Sequence, residues 1–170
     1  MVSVRAERPS DREAVCAVHV AAFGGDAEAE LVRRLHTDGD VLFGLVAVVE
    51  DRIVGHILFS LLPLETARGT IPAAALAPLA IAPGWQGRGI GASLVREGLA
   101  RCRERRIDAV VVLGDPAYYG RFGFRADTAR GVLSPWSGPY LQAIELAPGA
   151  LGGETTALYP AAFSDLPSDV

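Results

Sequence analysis

The fold class this chain predicts is α/β of the α+β kind, a mixed and mostly antiparallel central sheet flanked by helices. Three observations carry the prediction. Period-2 and continuous apolar runs alternate with stretches of helical periodicity, in the order strand, two helices, three strands, helix, strand, helix, strand. The 170 residues suit one domain, and no linker or internal repeat divides them. Half of the residues are hydrophobic and 21% are charged, which excludes intrinsic disorder, since a disordered chain is poor in apolar side chains and rich in net charge.

The elements follow in order. Val2 and Val4 alternate with polar neighbours as a first strand does, and Ser10 with Glu13 three residues on has the form of a capping box. The helix opened there continues through Ala14, Ala17, Val18, Ala21 and Ala22. After Gly24-Gly25 a second helix sets Leu31, Val32 and Leu35 on one face and Arg33 and Arg34 on the other. Leu42 to Val49 and Ile53 to Leu62 are strands, joined through Glu50-Asp51-Arg52 as an antiparallel hairpin. Ile71 to Ala82 is a third extended segment. Pro72, Pro78 and Pro83 lack ladder donors, so this strand is bulged or splayed.

A helix from about Gly89 to Arg105 carries Ile90, Leu94, Leu99 and Cys102 as its apolar stripe. Ile107 to Leu113 is a continuous apolar run of the buried-strand kind, followed by Asp115 as N-cap and Pro116 as first-turn residue of a short helix. Tyr140 to Leu146 is the last clear strand. The tail beyond Pro148, with Ala157-Leu158-Tyr159, offers at most one more, and the apolar stretch Leu158 to Phe163 packs on its own domain or on a second subunit.

Composition narrows the function classes. A formal charge of −4 lacks the basic footprint of a nucleic-acid binder. Every basic side chain other than histidine is Arg, so phosphate recognition falls to Arg forks, hydroxyls and backbone amides. Cys16 and Cys102 form no CxxC pair and sit on inward-facing helical stripes, which predicts reduced core thiols and a cytoplasmic location. No stretch reads as a signal peptide or membrane span, so a membrane partner is not expected.

The informative segment is Leu79-Ala80-Ile81-Ala82-Pro83-Gly84-Trp85-Gln86-Gly87-Arg88-Gly89-Ile90-Gly91, an apolar strand running through a Gly-rich turn into a helix. Glycines let backbone approach a ligand, and the first helical amides, unpaired and at the positive end of the dipole, bind phosphate oxygens. The P-loop needs a Lys that the chain lacks. The dinucleotide fingerprint has Ala92 in the place of its third Gly, where Ala is sometimes allowed, but needs a βαβ start where this chain has a hairpin, which leaves NAD binding only as an alternative.

Gln86, Gly89 and Gly91 match [QR]-x-x-G-x-[GA], and on these residues the segment resembles the cofactor signature of the GNAT superfamily of N-acetyltransferases. Leu79 to Pro83 resembles that family's splayed fourth strand, and Tyr118-Tyr119-Gly120-Arg121-Phe122-Gly123-Phe124 resembles its F-Y-x-x-x-G-F segment. With the element order, the likeness covers about residues 3–147, leaving 148–170 as a C-terminal extension of the one domain. Leu113 to Tyr119 is also similar to a widespread bacterial subgroup of N-acetyltransferases.

The resemblance implies acetyl-CoA as cosubstrate, an amine-bearing acceptor and no metal. It implies that backbone of Leu79, Ala80 and Ile81 pairs with pantetheine, and that amides of Gly87, Arg88, Gly89, Ile90, Gly91 and Ala92 hold the pyrophosphate, with side-chain contacts from Gln86 and Arg88. Tyr119 matches the tyrosine that protonates the departing thiolate, a task for a phenol whose ordinary pKa of about 10 keeps it protonated at neutral pH. For the base, Glu30, Glu65 and Asp115 are candidates, beside a path through water. His19, His36 and His56 lie on separate elements without metal-ligand spacing and are expected to be structural or exposed. Acceptor choice is assigned to two loops, Phe23 to Ala29 and Glu65 to Ala75, and the assembly to a monomer or homodimer. A non-catalytic acyl-CoA-binding sensor on the same fold is the alternative reading.

Overall fold

The computed structural model describes residues 1–165. In chain order its elements are β1 (Ser3–Ala6), α1 (Arg12–Phe23), α2 (Ala27–Thr37), β2 (Val41–Val49), β3 (Arg52–Leu61), β4 (Leu64–Thr66) and β5 (Gly69–Ile71). They continue with β6 (Ala73–Ile81), α3 (Ile90–Glu104), β7 (Ala109–Leu113), α4 (Pro116–Tyr119), β8 (Val132–Leu133), β9 (Leu141–Glu145) and β10 (Thr155–Ala157). The chain forms two compact units, Met1–Ser60 with Ala77–Leu99, and Leu61–Leu76 with the chain from Ala100 onward.

In the first unit β1 pairs antiparallel with β2, from Ser3↔Val48 to Ala6↔Leu45, and β2 pairs antiparallel with β3. Their hairpin turns at Glu50 and Asp51, both at positive φ, the conformation that a two-residue turn matched to strand twist demands. The second half of β6 lies beside β3, where Ala82 N donates to Val54 O at 2.8 Å. The apolar faces of α1 and α2 close over a core that includes Val15, Val32, Leu35, Leu45 and Ile57. The entrance to α1 differs from the expected capping box. A 3-10 turn at Pro9–Asp11 precedes the helix, and Asp11, not Ser10, closes it. Its carboxylate accepts from Arg8 N at 2.7 Å and takes a two-pronged ion pair from Arg5 at 2.7 and 3.0 Å, bonds that a serine hydroxyl cannot match.

In the second unit the first half of β6 runs parallel to β7, from Ala73↔Ala109 to Leu76↔Val112, and β7 runs antiparallel to β9. The β6–β7 register ends at Leu76, two residues before Pro78, which has no N–H to donate, so the strand is only partly paired as its prolines predict. Ile107 and the whole of β7 but its last residue are buried, as a continuous apolar run requires.

A second sheet of four short strands, in the order β5-β4-β10-β8, departs from the expectation. Glu65 to Ala75, read as a loop, holds the β4–β5 hairpin and the start of β6. The C-terminal segment adds β10 antiparallel to β4 and parallel to β8, with Leu158 N donating to Pro63 O at 3.0 Å. Trp136, Tyr159 and Phe163 meet edge to face behind it. The segment as far as residue 165 therefore packs on its own chain, and the rest of the expected extension, 166–170, lies outside the described residues.

Candidate functional site

The strand-to-helix turn of the first unit is shaped by its own side chains. Trp85 N donates to Ala82 O at 3.0 Å, and Gln86 Nε2 reaches back to Ile81 O at 2.9 Å, lashing the turn to the end of β6. Gln86 thus spends its amide nitrogen inside the turn. Gly87 and Gly89 take φ of +74° and +81°, and a Cβ at either would meet no atom within 4 Å. Their bare backbone faces open space, as an approaching ligand needs.

Ser93 N donates to Gly89 O, so the amides of Ile90, Gly91 and Ala92 stand in the first turn of α3, where an α-helix has no partner for its donors. The fifteen residues of α3 set the positive end of its dipole at that turn. Arg88 is exposed, its guanidinium 4.8 Å from the centre of the Trp85 indole, which holds a positive charge beside the turn. Of the three strand residues, Ala80 is buried, while Leu79 and Ile81 are half-buried.

Tyr119 belongs to the second unit. Asp115 caps α4 through Ala117 N at 2.9 Å and its carbonyl takes Tyr119 N at 3.0 Å, so the expected N-cap fixes the tyrosine's place. The ring packs edge to face on Tyr118 and on the buried Phe124. Burial, with Tyr118 adding to it, pushes the phenol up to about 12, and it keeps its proton at neutral pH. Tyr118 is tied instead to Arg121, whose guanidinium lies 4.7 Å from its ring centre.

The proposed bases are occupied or exposed. Asp115 is the cap, Glu30 is exposed and pairs with Arg33 at 3.1 Å, and Glu65 is an exposed residue of β4. The Phe23 to Ala29 loop shrinks to residues 24–26, because α1 runs to Phe23 and α2 begins at Ala27.

The three histidines are not scattered. His19 of α1 and His56 of β3, both fully buried, share a 2.8 Å hydrogen bond between Nε2 and Nδ1. Glu7, just past β1, lies 2.8 Å from His56 Nε2 with one oxygen and hydrogen-bonds His36 of α2 at 2.9 Å with the other. Burial drives the His19 imidazole down to about 3, with His56 pushing the same way and Glu7 opposing. Burial raises the Glu7 carboxyl, and its contacts with His56 and His36 outweigh that and leave it below its ordinary value. Among the described residues no group of three or more His, Cys, Asp or Glu is placed to hold a metal ion. The one sequence signal for this network was His19 on the same helical stripe as Val15 and Val18, a polar residue where the periodicity asks for an apolar one.

The model of the acetyltransferase (GNAT) family matches residues 12–124, well over half of the chain. The chain belongs to the GNAT family of acetyltransferases. Within it, the chain is 37% identical over 155 residues to the uncharacterized N-acetyltransferase YhbS of Escherichia coli, covering 89% of this chain and 92% of that protein. It is 38% identical over 117 residues to the uncharacterized N-acetyltransferase YjhQ of the same organism, covering 68% and 65%. Among solved structures, the complex of E. coli YhbS with CoA superposes with a TM-score of 0.89 at 34% identity, covering 98% of this chain and 93% of that one. A GNAT acetyltransferase from Brucella melitensis in complex with acetyl-CoA gives 0.80 at 33%, covering 96% and 98%. The mixed α/β architecture expected from the sequence is that of the family.

Proposed function

We propose that this chain transfers the acetyl group of acetyl-CoA directly to an amine, on a small molecule or at a protein N-terminus or lysine. The observation that carries the reading is the open start of α3, where the positive-φ Gly87 and Gly89 leave the space beside the first-turn amides unfilled, which suits an anion. Family membership and CoA in the solved structure of YhbS support it.

In this reading the amides of Gly87, Arg88, Gly89, Ile90, Gly91 and Ala92 hold the pyrophosphate, Gln86 keeps the turn in shape, and the Arg88 guanidinium adds charge. Backbone of Leu79, Ala80 and Ile81 lines up the pantetheine arm, which places the thioester by proximity. The free amine attacks the acetyl carbonyl carbon, the C–N bond forms, the C–S bond breaks, and the amine's extra proton leaves through water. Tyr119 gives its hydroxyl proton to the departing sulfur and recovers it from solvent. Burial raises the Tyr119 phenol, so at neutral pH it still holds the proton that this step needs.

Calorimetry with acetyl-CoA, ATP and NAD tests the cofactor assignment. Acetyl-CoA alone should bind tightly and raise Tm by mass action. Equal binding of all three would make the turn a general nucleotide site.

A further inference from the structure

The place where β7 gives way to α4 is held more tightly than a plain connection requires. Gly114 N donates to Tyr140 O at 3.0 Å, and Gln142 of β9 donates from Nε2 to Gly114 O at 3.0 Å and to Tyr140 O at 3.4 Å. The Gly114 residue is thus pinned at both its N–H and its C=O. The next carbonyl, that of Asp115, takes the amides of Tyr118 and Tyr119. Gly114 also supplies the seat of the Tyr119 ring, since a Cβ there would come 2.5 Å from Cε2, 3.1 Å from Cδ2 and 3.6 Å from Cζ. No side chain larger than hydrogen leaves the ring where it is.

Gln142 is 1% exposed, and its Oε1 is buried with no partner among the described residues. Two carbonyls flank Nε2, so the amide cannot be turned round to satisfy the oxygen. A buried acceptor without a donor is costly, and an apolar residue of similar size would fill the space without that cost. The amide therefore has its reason in the two bonds it donates.

We propose that Gln142 is a positioning residue for Tyr119, acting through the Gly114 carbonyl, with Gly114 as the seat of the ring. The inference rests on the reading of Tyr119 as the proton donor to sulfur. Gln142 touches no reacting atom. It fixes the Gly114 peptide, which fixes the start of α4 and the lie of the phenol against Gly114. A misplacement of roughly 1 Å in a positioned group costs on the order of a hundredfold in rate.

The test uses the full chain with 3-fluorotyrosine placed at position 119 alone or, as control, at 159 alone, where the ring packs on Trp136 and Phe163, read by fluorine NMR before and after Gln142→Met. The resonance at 119 should move or broaden while that at 159 stays and Tm changes by only a few degrees. Thiol release from acetyl-CoA with the best amine of a panel is then measured in a double-mutant cycle. Gln142→Met should lower kcat about tenfold to a hundredfold with KM for acetyl-CoA little changed, and should lower it no further in a Tyr119→Phe background. Gly114→Ala, which displaces the ring from the opposite partner, should behave alike. An unmoved resonance at 119, or a full second loss of kcat in the Tyr119→Phe background, overturns the proposal. If Tyr119→Phe alone leaves kcat intact, the acid reading falls, and the fluorine resonance still decides whether Gln142 positions the ring.

Discussion

Lowering the pH from 7 to 5 at constant ionic strength should cost the fold about 2 kcal/mol through His19 alone. In the native protein this imidazole is fully buried and held down to about 3, so it stays neutral across the whole interval. The unfolded chain has an ordinary histidine with a pKa of about 6.5, which takes up a proton as the pH falls. A histidine whose native pKa is depressed therefore contributes stability that is full above the unfolded value and is lost as pH falls below it, at about 1.4 kcal/mol per pH unit. His36, lowered chiefly by burial, adds to the slope in the same direction. Glu7, depressed below its ordinary 4.5, adds its own loss only at still lower pH. For a chain of this size 2 kcal/mol is a fall in Tm of roughly 4–8 °C. Urea unfolding at pH 7, 6 and 5 measures the slope, and His19→Gln, which can still donate to His56, should flatten it by close to one proton. Stability that is level from pH 7 to 5, or an unchanged slope in His19→Gln, would refute the buried, neutral histidine on which the reasoning depends.

Two further predictions concern the proposed site. Gly84 and Gly89 both have positive φ and open space at the Cβ position, so an alanine at either strains the backbone by about 1–2 kcal/mol. Only Gly89→Ala should weaken acetyl-CoA binding in calorimetry as well, because only Gly89 adjoins the first amides of α3, and equal affinities in the two variants would make the turn a plain connection. Tyr119→Phe keeps the ring in its packing and should lower kcat by roughly a hundredfold to ten-thousandfold with acetyl-CoA affinity little changed, while Tyr118→Phe retains most activity. If Tyr118→Phe is the damaged variant, the proton donor is the neighbouring residue.

What the sequence disclosed follows from the range over which each signal acts. The stripe Ile90, Leu94, Leu99 and Cys102 and the Gly-rich turn before it are local, and all four stripe residues are buried in α3 as the spacing required. The Asp115 cap and Pro116 are equally local, and they set α4 where expected. Of the second sheet only the short strand at Ala157 was legible, because β4, β5, β8 and β10 have only two or three residues each, too few for a period to show, and Leu64 finds its partner at Ala157. The Glu7, His19, His36 and His56 network joins three elements and the residue after β1, so beyond the polar His19 on an apolar stripe linear spacing carried no sign of it. The Gln142 bond to Gly114 spans 28 positions and was hidden for the same reason.

The most direct test is to incubate the protein with acetyl-CoA and a panel of amines, amino acids and peptides, and to follow thiol release together with the mass of each acceptor. Acetyl transfer from acetyl-CoA predicts that at least one amine gains an acetyl group in step with the thiol released, and that Tyr119→Phe slows both together. Acetyl-CoA that binds tightly yet acetylates no amine in such a panel would contradict transfer and make the chain an acyl-CoA-binding sensor.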